Sequence, residues 1–306
     1  MNCPVCMKRN VRYYSRFRDR LYGIKGEFDY SICLNCNAIF QDPMLDPKEL
    51  SKFYPSNYVS FNKETQRDER NKMISLLYDT YYSQKGKWFH KLLFLPVKGL
   101  LRSLPKIKNS KLLDVGCGDG KFLKYVKQNG VIPYGVDPHR KQADNELNIL
   151  NKDIFDAKFE ADFFDVITLN NVLEHLTDIY GVLKECKRVL KHGGKLIINI
   201  PNTASLNYRL FGKNWVSLDP PRHTILFNSK NIKILSKNLG LRIKKINYLS
   251  EPFTLIGSNE YRKGETKLDG NKRLASKFLN ILVMPYSLLT NIFRIGDQIE
   301  VVLEKP

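Results

Sequence analysis

The stretch Lys111-Leu-Leu-Asp-Val-Gly-Cys-Gly-Asp-Gly120 constrains this chain more than any other. Its apolar run reads as a strand, its three alternating glycines as a tight turn, and the residues after Gly120 as the start of a helix. Glycine turns the backbone sharply and lets a ligand approach bare main chain, where any side chain would obstruct it.

Gly116, Gly118 and Gly120 are spaced G-x-G-x-G, not the G-x-G-x-x-G of dinucleotide enzymes, and Asp114 stands two residues before the first glycine. After a helix-like stretch comes a second apolar run, Ile132-Pro-Tyr-Gly-Val-Asp137. Its terminal acid lies about 20 residues beyond the turn, where a carboxylate can accept bonds from ribose hydroxyls. Strands are expected near 112–116, 133–136, 148–151, 164–169 and 195–200, with helices near 120–129, 139–146 and 178–191 between them. A further helix at 229–239, a sixth strand at 241–249 and a last strand at 297–303 follow. The alternation argues an α/β fold with a doubly wound sheet.

LLDVGCGDG (112–120), YGVD (134–137), FDVITLNNVLEHL (164–176) and LKHGGKLIINIPN (190–202) occur in this order. Together they resemble the class I S-adenosylmethionine-dependent methyltransferases, over roughly residues 108–250 and the last strand. The resemblance implies a Rossmann-like seven-stranded sheet with an antiparallel last strand. It also implies that the turn from Asp114 through Gly116, Gly118 and Gly120 holds the methionine moiety, that Asp137 holds the ribose, and that Asn170 lies beneath the sulfonium. Asp153 flanks the adenine on this reading, and a turn cap is the competing one.

Two histidines compete for the acceptor's proton. His175 follows the fourth strand in Leu-Glu-His-Leu and reads either as a base or as a loop brace. His223 stands in Leu218-Asp-Pro-Pro-Arg-His-Thr, where the family lines its acceptor pocket. Arg222 beside it is a candidate anchor for a phosphate or carboxylate, with loop bracing as the alternative. Cys117 and Cys186 read as small buried residues.

Cys3, Cys6, Cys33 and Cys36 form two C-x2-C pairs. Each pair can present two thiolates from one turn, so the four suit a closed structural zinc site with no open position for water. A zinc ribbon is expected over residues 1–41, with alternating aromatics Tyr13, Tyr14, Phe17, Tyr22, Phe28 and Tyr30. A linker and helical cap are expected over 42–107, and a methyltransferase domain over 108–306 with a helical excursion inserted at about 251–296.

The net charge of +19 is uneven. Residues 1–40 carry +4, 41–110 carry +6, 111–204 carry none and 205–306 carry +9. The basic flanks suggest an anionic partner, against a composition that is Lys-rich throughout. In the excursion, Leu274, Phe278, Ile281, Leu282 and Leu289 share one helical face near Lys272, Arg273 and Lys277. Residues 88–102 repeat that character, and no acid occurs from Thr80 through Leu113. Core packing or a dimer seam is the leading reading of both segments, with peripheral contact at the inner membrane face as the alternative. A cytoplasmic protein is expected, since no leader and no run of about 18 apolar residues is evident.

The ribbon, the Phe-Tyr-Pro linker and the Pro-Pro-Arg-His loop resemble zinc-knuckle methyltransferases of bacterial polysaccharide and sugar biosynthesis, while the core is similar to ubiquinone-pathway O-methyltransferases. The expected activity is methyl transfer to an oxygen of a sugar, glycan or other small anionic acceptor, phosphorylated and lipid-linked acceptors included. An RNA methyltransferase is the alternative enzyme, with nucleic acid the less favoured partner. Asn170-Asn-Val-Leu stands where base-amino methylation uses an Asn/Asp-Pro-Pro-Tyr/Phe tetrad. A non-catalytic scaffold is the remaining class.

Overall fold

The computed structural model describes residues 2–55, 109–250, 252–264 and 277–306. The chain divides into two compact units. One comprises Met1–Pro55, Asn171–Ile179 and Asn199–Val301, and the other Ser56–Asn170, Tyr180–Ile198 and Val302–Pro306. The expected helical cap within 42–107 and the basic segment at 88–102 lie outside the described residues.

The first unit has a four-stranded sheet of β1 (Val11–Arg18), β2 (Glu27–Cys33), β3 (Ile39–Gln41) and β9 (Ile225–Leu226), in the order β1-β2-β3-β9. All three pairings are antiparallel. The ribbon therefore does not close on itself near Gln41, as expected from the sequence. Its last strand takes a partner from far along the chain, with Ile39 opposite Leu226 and Phe40 opposite Ile225. An irregular register between Tyr13 and Ser15 interrupts β1, so the aromatic alternation splits. Tyr13 is 61% exposed, whereas Phe17 and Tyr30 pack with Ile39, Phe211, Trp215, Leu218 and Leu226 in one buried cluster.

The larger sheet has seven strands: β4 (Lys111–Val115), β5 (Ile132–Val136), β6 (Ile149–Leu150), β7 (Phe164–Asn170), β8 (Leu190–Pro201), β10 (Arg242–Leu249) and β11 (Gln298–Glu304). Their order is β10-β11-β8-β7-β4-β5-β6. The pairs β4–β5, β4–β7 and β5–β6 are parallel. Backbone bonds from Gly193 to Lys305 and from Asn202 to Asp297, both 2.8 Å, run β11 antiparallel to β8. The seven-stranded mixed sheet expected from the motifs is thus present.

Among the described residues the α-helices are α1 (Pro47–Ser51), α2 (Lys121–Gln128), α3 (Ile179–Val189), α4 (Leu206–Phe211), α5 (Ser229–Leu239), α6 (Pro252–Arg262) and α7 (Lys277–Ile292). The helix expected at 139–146 is absent. Asp144 accepts the amides of Glu146 and Leu147 at 3.0 and 3.2 Å, and its backbone exchanges bonds with Ile149. Such local side-chain acceptors compete with the helical ladder, and here they win. The excursion contains α6 and α7. Of its expected apolar stripe, Leu274 lies outside the described residues, while Leu289 is exposed together with Ile292 and Phe293 at the end of α7. Among the described residues no helix is long and apolar enough to cross a membrane.

Candidate active site

The glycine turn leaves the end of β4 beside the end of β5. The amides of Gly116 and Cys117 donate to the Val136 carbonyl at 2.8 and 3.2 Å, and the Gly118 amide donates to Asp137 Oδ2 at 2.8 Å. Gly118 and Gly120 have φ of 53° and 75°, in the left-handed region that disfavours side chains. A Cβ on Gly120 would also meet Ile149 Cδ1 at 2.8 Å. Asp137 Oδ1 accepts the His139 amide at 2.9 Å, so each oxygen holds one backbone donor and keeps a lone pair. The arrangement is a rigid backbone cradle with a carboxylate at its rim, which fits a ribose-bearing cofactor.

Asp114 is buried beneath this turn. Its Oδ1 accepts Thr168 Oγ1 at 2.6 Å and Asn170 Nδ2 at 3.0 Å, which ties β4 to β7. Asp114, Gly116, Gly118, Gly120, Asp137 and Asn170 are thus gathered at the carboxyl ends of β4, β5 and β7, where open α/β sheets bind their ligands. Asp153 is exposed and its Oδ1 accepts the amides of Phe155 and Asp156 at 2.9 and 2.8 Å. Its side chain is therefore a turn cap.

In the first unit, Arg222 corrects an expectation. Instead of facing an acceptor, its guanidinium is 0% exposed. Nη2 and Nη1 donate to the two oxygens of Asp19 at 2.8 and 3.1 Å, Nε donates to both oxygens of Asp219 at 3.1 Å, and Nη1 donates to the Phe53 carbonyl at 3.0 Å. The Tyr22 ring lies 4.8 Å away. A planar fork with five donors can satisfy two carboxylates at once, and that geometry leaves Arg222 committed to bracing. Burial opposes the charge on Asp219, but the adjoining guanidinium outweighs it and holds that carboxyl below its ordinary range.

The brace fixes the loop that carries His223. The His223 Nδ1 lies 2.9 Å from the Ser217 carbonyl, and the His223 carbonyl accepts Tyr30 Oη at 2.7 Å. His175 Nδ1 lies 3.0 Å from the Arg222 carbonyl and 3.0 Å from Tyr54 Oη. A carbonyl only accepts, so both Nδ1 atoms carry the proton and both neutral rings keep their lone pair on Nε2. The rings meet edge to face with centroids 4.6 Å apart. Burial, with the neighbouring His223 adding to it, pushes His175 down to about 3, and burial also lowers His223. Both imidazoles are therefore neutral at physiological pH.

Glu174 lies in the same 3-10 turn as His175, Leu173–His175. Both of its carboxylate oxygens are buried with no hydrogen-bond partner among the described residues, and burial pushes its pKa up to about 8. Asp19, Asp219 and Glu174 were not singled out from the sequence. Asp219 sits three residues before Arg222, a spacing that could have marked it, whereas nothing local connects Asp19 with a residue 203 positions away.

The four knuckle cysteines converge as their spacing predicts. Cys3 Sγ lies 3.6 Å from Cys36 Sγ, and Cys6 Sγ 3.5 Å from Cys33 Sγ, with all four sulfurs within 4.8 Å of one another. Tetrahedral zinc with bonds of about 2.3 Å needs sulfurs about 3.8 Å apart, so the cluster fits that ion. Its second knuckle is held by α5. Asn231 Nδ2 donates to the Cys36 carbonyl at 2.7 Å, Lys230 Nζ to Asn35 at 2.6 Å, and Asn228 Nδ2 to Asn37 at 3.1 Å. Cys117 and Cys186 are buried, as expected.

A family model described as "Methyltransferase domain" matches residues 83–246. The chain is 33% identical over 106 residues to a ubiquinone biosynthesis O-methyltransferase of Coxiella burnetii, a match covering 31% of this chain and 45% of that protein. It thus spans about half the length of such relatives. It is also 25% identical over 196 residues to an uncharacterised protein of Methanocaldococcus jannaschii, covering 61% of this chain and 92% of the other. Among solved structures, a SAM-dependent methyltransferase of Archaeoglobus fulgidus aligns with a TM-score of 0.45 and 20% identity, covering 75% of this chain and 99% of that one.

Proposed function

Because this chain belongs to the methyltransferase-domain family, we propose that it transfers the methyl group of S-adenosylmethionine to an oxygen of a sugar, glycan or other small anionic acceptor. The observation that carries the reading is the left-handed glycine turn whose Gly118 amide is held by Asp137 at the mouth of two parallel strands. When bound, the cofactor supplies an electrophilic sulfonium carbon to an acceptor oxygen, which loses its proton as the cofactor leaves as a thioether.

On this reading the turn carries the methionine end, with Asp114 beneath it setting Asn170, and Asp137 accepts from the ribose hydroxyls. Rigid placement supplies most of the rate, since orienting two reactants removes a large entropic part of the barrier. By the resemblance, His223 is the residue expected on the acceptor side. The basic flanks favour an acceptor bearing phosphate or carboxylate. The four cysteines hold a structural zinc.

Calorimetry with S-adenosylmethionine, followed by transfer of a labelled methyl group to a panel of nucleotide-sugars, glycans and RNA, tests the reading. Stoichiometric cofactor binding with label on a sugar oxygen is the expected result. Absence of cofactor binding would sink the enzyme assignment, and label on RNA alone would sink the acceptor. His223→Ala should lower turnover about 10²-fold while cofactor affinity stays within a few-fold.

A further inference from the structure

We propose that Glu174, His175 and His223 hold a divalent first-row transition cation at a site separate from the four-cysteine cluster. One carboxylate oxygen of Glu174 and one ring nitrogen of each histidine lie within 4.8 Å of one another. Two imidazoles and a carboxylate form a donor set for zinc, iron(II) or cobalt(II), with positions left open for water or a substrate oxygen.

Three observations point to a cation. Glu174 is 1% exposed and among the described residues neither oxygen meets a donor or an acceptor, so neither a carboxylate nor a protonated acid is satisfied there. A buried polar group without a partner calls for a missing ligand, and a cation beside the carboxylate provides one. Both histidines place Nδ1 against a backbone carbonyl, of Arg222 for His175 and of Ser217 for His223. That is how metal-binding imidazoles are oriented, with the second nitrogen left to coordinate. Beside them, one guanidinium, Arg222, faces two carboxylates, Asp19 and Asp219, so the local charge is negative before Glu174 is counted.

The ligands sit on prearranged backbone. The Glu174 carbonyl accepts the Thr224 amide at 2.8 Å, which joins the turn of Glu174 and His175 to the loop of His223. The buried Arg222 and the Tyr30 hydroxyl hold that loop from its other side. With hard and borderline donors only, this site and the all-sulfur cluster select differently among metals.

The test uses the full chain purified with zinc in its cysteines and titrated with cobalt(II). One further cobalt per chain is expected, with visible bands but no sulfur-to-metal charge transfer. Pulsed electron paramagnetic resonance on the copper(II)-loaded wild type should detect two imidazole nitrogens, a readout that requires no variant. Glu174→Gln and His223→Gln, each checked for folding by circular dichroism, should weaken cobalt binding by about 10-fold or more. Cobalt that binds only with thiolate bands, or binds equally well to both folded variants, overturns the proposal.

Discussion

Arg222 shows how one buried side chain can brace a loop. Its charge is buried between Asp19 and Asp219, and removing it leaves two carboxylates unpaired in the interior. Breaking a buried pair in this way costs about 3–5 kcal/mol, so Arg222→Met should show a loss of that order in urea unfolding. Arg222→Lys should recover only part of it, because an ammonium cannot span both carboxylates as a fork does. At the cradle, Asp137→Ala removes the carboxylate proposed to accept from the ribose hydroxyls, and with it the acceptor of the Gly118 and His139 amides. Losing a charge-assisted bond of about 1.5–3 kcal/mol to the cofactor predicts a fall of roughly 10- to 100-fold in S-adenosylmethionine affinity, read by calorimetry, and the freed amides should also lower the melting temperature.

Among the elements, α5 joins two tasks. Asn228 caps it, accepting the amides of Lys230 and Asn231 at 2.9 and 3.2 Å, and Asn231 returns a bond to the Asn228 amide. The same two side chains donate to carbonyls of the second cysteine knuckle. Asn228→Ala therefore removes a helix cap and a tie to the ribbon together. We expect a loss of about 1–2 kcal/mol in equilibrium unfolding, at the upper end of the usual range for a cap. Asn228→Asp keeps the cap but loses the donor to Asn37, so it should fall between wild type and alanine.

At the scale of the first unit, the ribbon and the His223 loop are one structure. β3 pairs with β9, the Gln41 amide donates to the Thr224 carbonyl at 2.9 Å, and Asp19 reaches Arg222. A sequence view of the ribbon as a separate module would confine the effect of metal loss to residues 1–41. The pairing predicts otherwise. Cys3→Ser should speed amide exchange in residues 222–232 as well as in the knuckles, by hydrogen-exchange mass spectrometry, while residues 111–136 keep their protection. Exchange confined to the first 41 residues would show that the strand pairing does not transmit the loss.

What the sequence by itself determined here is what depends on short range. Gly118 and Gly120 turn because only glycine adopts positive φ cheaply, β4 and α2 flank them by apolar period, and each C-x2-C pair brings two sulfurs to one turn. The order of the motifs along the chain also carried the seven-stranded sheet. Local pattern misled at 139–146, where Asp144 draws amides away from a helical ladder. What only the tertiary structure decided is who meets whom over long separations. Asp19 with Arg222, Ile39 with Leu226, Tyr54 with His175 and His175 with His223 have no common period or spacing to connect them. Arg222 could be read as an anchor for an anion because its charge was visible in the sequence and its two buried carboxylates were not. A guanidinium binds whichever acids the fold brings to it, and that choice is made by packing rather than by neighbours in the chain.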